Sequence, residues 1–186
     1  MTLSSKPGLC LLAPSLAYEG QILDYREEIW AADGRHLYGV GGLDELTVPQ
    51  WLDLLKRKSR PETCPEGLVP DSVFLCVRGC DDTLVGIINI RHSLNSYLSL
   101  YGGHIGYAIR PAQRRKGYAE EQLRLGLVEC QKLGIDPVLL TCLEDNTASR
   151  RTIIKNGGEF ERVVTREDGS RFERYWISLK GQEGTR

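Results

Sequence analysis

The stretch that decides the fold is the basic turn Arg110-Pro-Ala-Gln-Arg-Arg-Lys-Gly-Tyr-Ala119. Residues His104 to Ile109 before it predict a strand, which ends at the proline because the residue before a proline favours extended backbone. Residues Tyr118 to Leu133 after it predict a helix with one apolar face and Gly134 as its end. A helix start with a glycine, free N–H groups and adjacent cations suits an anion such as a diphosphate. The alternative is a solvated basic turn that only begins the helix.

Further elements surround this strand, turn and helix. We predict two hairpins and a short strand, at Val73–Val77 with Thr83–Ile90, at Phe160–Thr165 with Arg171–Leu179, and at Val138–Cys142. A further strand is predicted at Leu9–Leu12. Three helices are predicted at Leu16–Ala32 with Ser15 as cap, from Thr47 to Lys58, and at Thr147–Lys155 with Asn146 as cap. Two loops complete the chain, at Ser59–Pro70 and Ser93–Gly103. This order predicts an α/β (α+β) fold, a single domain with a mixed, mostly antiparallel central sheet and helices on both faces.

Composition excludes several classes of protein. The chain of 186 residues has 24 Lys and Arg against 25 Asp and Glu, a net charge of −1, which disfavours non-specific nucleic-acid binding. No stretch approaches the roughly 18 apolar residues of a spanning helix, so we expect no membrane partner. The six cysteines contain no C-x-x-C pair and the three histidines no zinc-finger spacing, so we expect no metal, reduced thiols and a cytoplasmic location.

Two turns carry a resemblance to a known family. Arg114-x-x-Gly117-x-Ala119 resembles the acyl-CoA signature [QR]-x-x-G-x-[GA] of the GNAT superfamily of N-acyltransferases. Leu143-Glu-Asp-Asn-Thr-Ala-Ser149 resembles the asparagine-containing start of that family's next helix. The segments 104–111 and 155–159 are similar to a poorly characterised bacterial branch. The resemblance covers Val73 to Leu179 and implies a single domain over residues 1–186, with a CoA-binding core at 73–179 and an N-terminal portion at 1–72 that shapes the acceptor site.

The resemblance implies how acetyl-CoA, the co-substrate, is bound. The pyrophosphate would be bound by the backbone amides of Arg114, Arg115, Lys116, Gly117, Tyr118 and Ala119. The three cations of that set could also meet the 3′-phosphate. The backbone of Ile109 would pair with the pantetheine arm, and Asn146 would bond the same arm. For Asn146 the alternative is a plain helix cap, and the two roles are compatible because a cap uses only the side-chain oxygen.

The catalytic residues are less well marked. His104, at the position where related transferases often carry a glutamate, is our candidate for the general base, and a hydrogen-bonded histidine at a strand end is the alternative. Ser149 is the candidate proton donor, or only a first-turn helix residue. Many family members carry a tyrosine acid seven residues beyond the asparagine, where this chain has Ile153, and possible substitutes are Tyr107, Tyr118 and Tyr175. Cys142 would permit a covalent route, although a structural thiol is favoured.

The implied function is an acetyl-CoA-dependent N-acetyltransferase. An acetyl group would pass to a primary amine of a small molecule or peptide, by direct attack in a ternary complex. Alternatives are a CoA-binding sensor or interaction module that has lost its chemistry, and a nucleotide-phosphate binder. Several acidic residues could attract a cationic amine, or could simply form a solvated surface. They are Glu27, Glu28, Asp44 and Glu45. A homodimer through the final hairpin is a further expectation by resemblance.

Overall fold

A computed structural model describes residues 8–35, 37 and 40–180. The strands are β1 Leu9–Leu12, β2 Asp71–Arg78, β3 Thr83–Arg91, β4 Ile105–Ile109, β5 Val138–Leu143, β6 Glu159–Thr165 and β7 Arg171–Ile177. The α-helices are α1 Glu19–Asp33, α2 Val48–Lys58, α3 Tyr118–Lys132 and α4 Thr147–Lys155. None of the helices within these residues is long and apolar enough to cross a membrane.

The strands form two sheets that adjoin at β4 and β5. Their orders are β1-β2-β3-β4 and β5-β7-β6, and every registered pair is antiparallel. At the junction, the backbone N–H of His104 donates to Leu139 O at 2.8 Å. After this bond, β4 and β5 both line one cavity, so the two sheets separate along the rest of these strands. The junction therefore sets the entrance to the site described below.

Helices cover both faces of the first sheet, because side chains alternate along β3. Ile88 and Ile90 belong to a core cluster with Leu123 and Leu127 of α3. Ile87 lies in a second cluster, on the other face, with residues of α1 and α2 that include Trp51. This alternation follows from the two-residue period of a strand, and it confirms the predicted α/β architecture.

Most element bounds agree with the sequence to within two residues. The backbone N–H of Thr47 donates to Gln50 Oε1 at 3.0 Å at the start of α2, as in a capping box. Ser15 occupies the cap position of a 3₁₀ turn, Leu16–Tyr18, that leads directly into α1, but its side chain makes no capping hydrogen bond. Ser15 accepts from Tyr18 N through its backbone oxygen. The predicted loop at 93–103 contains one π-helical turn, Leu98–Gly102.

Candidate active site

The basic turn has the backbone of an anion site. Arg115 and Gly117 have φ values of 62° and 80°, in the left-handed region, and α3 begins at the next residue, Tyr118. Left-handed residues of this kind direct neighbouring N–H groups toward a common point. Gly117, the cap position of α3, provides no side-chain hydrogen bond to the helix. The first N–H groups of α3 are therefore open to an anionic ligand such as a diphosphate.

Carboxylates of α1 neutralise two of the four cations of this turn. Arg110 Nε donates to Glu28 Oε1 at 2.8 Å, and Arg114 Nη1 donates to Asp33 Oδ1 at 2.9 Å. The second bond lowers the pKa of Asp33 and raises that of Arg114. These partners are about eighty residues away in sequence, so the dense positive charge of the turn is partly a set of ion pairs.

The other groups of the turn differ in how far they are already engaged. Lys116 Nζ donates to Ala112 O and Gln113 Oε1, at 3.0 and 2.9 Å. The carbonyl of Ile109 accepts from Arg114 Nε at 3.1 Å, so its expected pairing with pantetheine would compete with that bond. Arg115 makes no ion pair within the part of the chain that the structure describes. It is therefore the cation of the turn best placed for a phosphate.

Asn146, Ser149 and Tyr107 meet at the wall of a cavity of about 890 Å³. Asn146 Oδ1 accepts from Ser149 N at 3.0 Å, so Asn146 is the cap of α4 as predicted. Ser149 Oγ lies 3.0 Å from Tyr107 Oη, within hydrogen-bond distance. Burial raises the pKa of Tyr107 to about 12. Tyr107 is therefore a neutral hydroxyl at physiological pH and can donate a hydrogen bond.

Tyr107 is the substitute tyrosine that lies on the cavity wall beside α4. Ile153 has a hydrocarbon side chain with no acidic proton, and it is fully buried in a core cluster with residues of α3 and β5. Tyr118 Oη accepts from Arg78 Nη1 at 3.1 Å, and Tyr175 Oη donates to Glu173 Oε2 at 2.8 Å. Neither of these two residues lines the cavity. Of the three tyrosines considered from sequence, the structure thus brings Tyr107 alone to Ser149.

His104 lies at the sheet junction and not on the cavity wall. Its Nδ1 accepts from the backbone N–H of Leu139 at 2.9 Å. A neutral ring that accepts at Nδ1 carries its proton on Nε2, so the free nitrogen is a donor. Burial, and secondarily the charge of Arg91, lower the pKa of His104. Its role as general base stays a prediction, and the geometry favours the alternative, a hydrogen-bonded histidine at the strand end.

The remaining candidates have structural partners. Burial raises the pKa of Cys142 to about 12, which leaves little thiolate at neutral pH and favours a structural thiol. Glu28 pairs with Arg110, and Asp44 accepts from Trp30 Nε1 at 3.3 Å. Neither carboxylate lines the cavity, so they do not form an amine-binding wall. Within the described residues, no group of three or more potential ligands could hold a metal ion.

Sequence reasoning missed a second group of polar residues on the cavity wall. Lys58 forms an ion pair with Asp71, and Asn89 Nδ2 donates to Asp71 Oδ2 at 2.7 Å. Arg91 lies beside them, opposite Asp71 in the register of β2 and β3. All four residues line the cavity. They are separated by up to 33 positions in sequence and share no motif, so only packing brings them together.

Comparisons with known proteins agree with this fold. Residues 29–159 match the model of the acetyltransferase (GNAT) domain. One similar structure is the acetyltransferase from Salmonella typhimurium that modifies the N-terminal serine of the ribosomal protein L7/L12, with 15% identity, a TM-score of 0.65, and coverage of 92% of this chain and 95% of that one. Another is the microcin C7 self-immunity acetyltransferase MccE in complex with acetyl-CoA and AMP, with 14% identity, a TM-score of 0.65, and 92% of each chain covered.

A third similar structure is a GNAT-family acetyltransferase from Bacillus anthracis, with 18% identity, a TM-score of 0.63, and coverage of 91% of this chain and 94% of that one. A search of curated proteins found no match. At these identities the structural likeness establishes the fold, and the family model, which spans most of the chain, establishes the relationship. The chain belongs to the GNAT acetyltransferase family.

Proposed function

We propose that the protein transfers an acetyl group from acetyl-CoA to a primary amine, by direct attack in a ternary complex. The observation that carries this proposal is one cavity whose wall holds both the Tyr107–Ser149 pair and a buried polar cluster at Lys58 and Asp71. A thioester beside the pair and an amine beside the cluster would meet between β4 and β5. The residues of the 1–72 portion that line this cavity support its assignment as the part that shapes the acceptor site, within a single domain.

The turn before α3 suits the pyrophosphate of acetyl-CoA, since its N–H groups are uncapped. In the proposal the backbone amides of residues 114–119 bind the pyrophosphate, and Arg115 meets a phosphate. Asn146 uses its oxygen as the helix cap, which leaves its amide N–H groups to donate to a carbonyl of the pantetheine arm. When bound, acetyl-CoA supplies an activated acyl group next to Ser149.

The reaction forms a C–N bond, breaks the C–S bond and moves one proton from nitrogen to sulfur. Tyr107, with a pKa raised to about 12, holds its proton more tightly than a thiol with a pKa of about 8.5. Tyr107 and Ser149 therefore stabilise the departing thiolate as a hydrogen-bonded pair, and the proton that finally reaches sulfur comes from the amine. When Tyr107 donates to Ser149, the hydroxyl proton of Ser149 is left to donate to the sulfur.

The names of the neighbouring structures do not point to one common acceptor. The Salmonella protein is named for a peptide amine, the N-terminal serine of a ribosomal protein, and the microcin protein is named for self-immunity to a microcin. A small-molecule or peptide amine therefore stays in the proposal. The cytoplasmic location and the homodimer through the final hairpin stay predictions.

The test measures binding and turnover separately. We expect calorimetry to show acetyl-CoA binding, and thiol release to appear when a panel of primary amines is added. Ser149→Ala should lower kcat by about ten- to a hundredfold, as expected for the loss of one hydrogen bond to a charged group, with the Kd for CoA nearly unchanged. Ser59→Ala is the matched control, because its hydroxyl bonds only to Lys56 O at the end of α2.

Two outcomes would replace the proposal. Binding of CoA without turnover of any amine would favour the sensor or interaction module. Displacement of CoA by ATP at equal concentration would favour the nucleotide-phosphate binder.

A further inference from the structure

The acceptor end of the cavity contains two buried oxygen atoms without hydrogen-bond partners. Asp71 and Asn89 are 4% and 3% exposed. Asp71 Oδ2 is engaged by Lys58 and by Asn89 Nδ2. Within the part of the chain that the structure describes, Asp71 Oδ1 and Asn89 Oδ1 have no hydrogen-bond partner. Buried acceptors without donors are costly and rare, and they call for an explanation such as an absent ligand.

Register places these two oxygens on one face of the sheet, beside a guanidinium. Asp71 is opposite Arg91, and Val73 is opposite Asn89, in the pairing of β2 and β3. Residues two apart on a strand face the same side, and directly opposite residues have Cβ atoms about 5 Å apart. Asp71, Asn89 and Arg91 all line the cavity. The two acceptors and the cation therefore belong to one small region of its wall.

The charge of this wall is unbalanced. Lys58 and Asp71 neutralise each other, and Arg166 pairs with Asp168. Arg91 Nη1 donates to Gly102 O and Gly103 O, both at 2.9 Å, and Arg91 has no ion pair within the described residues. Burial lowers its pKa. Asp71 is the one carboxylate among the described lining residues, so the positive charge of Arg91 is left without a partner.

We propose that this region binds a small amino acid as the acetyl acceptor, with its amine on Asp71 Oδ1 and Asn89 Oδ1 and its carboxylate on Arg91. This inference rests on the proposed function and names the substrate class for it. A primary amine offers the N–H donors that the two oxygens lack, and a carboxylate offers the charge that the guanidinium lacks. An uncharged or purely cationic amine would satisfy only the first requirement.

The experiment compares three amino acids with their amides, which keep the amine and the size but lose the negative charge. The pairs are glycine and glycinamide, β-alanine and β-alaninamide, and 4-aminobutyrate and 4-aminobutanamide. For the wild type we expect kcat/KM of at least one acid to exceed that of its amide by about tenfold or more. This is the factor that the free energy of one charge-assisted hydrogen bond gives.

Variants assign that ratio to the residues. Arg91→Met should reduce the acid-to-amide ratio to about one, and Arg91→Lys should keep part of it. Because the ratio is measured within one variant, a loss of folded protein does not change it. Arg124→Met, which removes a surface cation paired with Glu121, should keep the full ratio.

The amine half has its own test. Asn89→Ala should raise KM for an acid and its amide alike by about tenfold, with the Kd for acetyl-CoA unchanged. Glu161→Gln is the matched control, because it breaks the ion pair with the buried Arg174, outside the cavity, and should lower only the melting temperature. If Asn89→Ala behaves like this control, the cluster is structural and the proposal is overturned.

The failure of this inference is distinguishable from that of the proposed function. NMR titration of the six compounds into the CoA-saturated protein measures binding without turnover. Acid-selective binding that Arg91→Met abolishes supports the inference. Turnover of other amines, with none of the three acids preferred, overturns the inference and leaves the acetyltransferase standing. Absence of CoA binding overturns the proposed function itself.

Discussion

Replacing Gly103 by alanine should weaken the junction between the two sheets. Gly103 has a φ of +64°, and a Cβ atom there would lie 2.6 Å from Leu139 O and 3.1 Å from Leu140 Cα. Both atoms belong to the backbone of β5, so neither can rotate away. Gly134 has a similar φ of +72° with nothing within 4 Å of its Cβ position, and it provides the matched control.

The two substitutions differ in what they cost. A left-handed alanine costs about 1 kcal/mol at either position. At Gly103 the contact also pushes β5 away and breaks the two bonds between His104 and Leu139, of 2.8 and 2.9 Å, each worth about 1 kcal/mol. We therefore expect Gly103→Ala to cost about 3 kcal/mol, a fall in Tm of roughly 6–12 °C for a domain of this size, and Gly134→Ala a fall of roughly 2–4 °C.

Calorimetry of both variants, with and without acetyl-CoA, measures these shifts. Gly103→Ala should also bind acetyl-CoA more weakly, because the cavity lies between the two strands that it separates, while Gly134→Ala should bind it normally. If the two variants melt within about 2 °C of each other, the close approach of Gly103 to β5 does not exist, and the description of the junction is wrong.

Three further predictions concern the site. Asn146→Ala should lose about 1 kcal/mol of stability with its helix cap and weaken CoA binding, whereas Asn146→Asp should keep the cap and weaken CoA binding only; equal stability of the two, by thermal melts, would contradict this. Tyr107→Phe and Ser149→Ala should each lower kcat, and the double variant should lose less than the product of the two effects, because the residues share one hydrogen bond; fully multiplicative losses in a kinetic double-mutant cycle would count against the pair. The pKa of His104 is lowered in the folded state, so the unfolded state binds the proton more readily, and the free energy of unfolding should fall as pH drops below about 6.5. His104→Gln should reduce that fall, measured by urea titrations, and leave turnover largely intact. If the variant instead loses turnover, together with the acidic limb of the pH–rate profile, His104 is established as the base.

Local patterns were sufficient for the parts of the site that depend on neighbours in sequence. The strand at 104–109, the basic turn and α3 followed from a proline, a glycine and an apolar period, and the Asn146 cap followed from its place before α4. These features rest on hydrogen bonds and periodicities within a few residues. The same locality explains why the free positive charge of the basic turn was overestimated, since the partners of Arg110 and Arg114 lie on α1.

The sequence by itself thus determined the fold class, the family resemblance and the position of the basic turn before α3. Only the tertiary structure decided which groups act together in the cavity. It buried Ile153, gave His104 a backbone partner, and set Tyr107 against Ser149 across 42 positions. It also assembled the buried polar cluster of Lys58, Asp71 and Asn89 from the end of α2 and the paired strands β2 and β3. The physical reason is that hydrogen bonds and ion pairs between distant residues depend on how strands and helices pack, which no local pattern encodes.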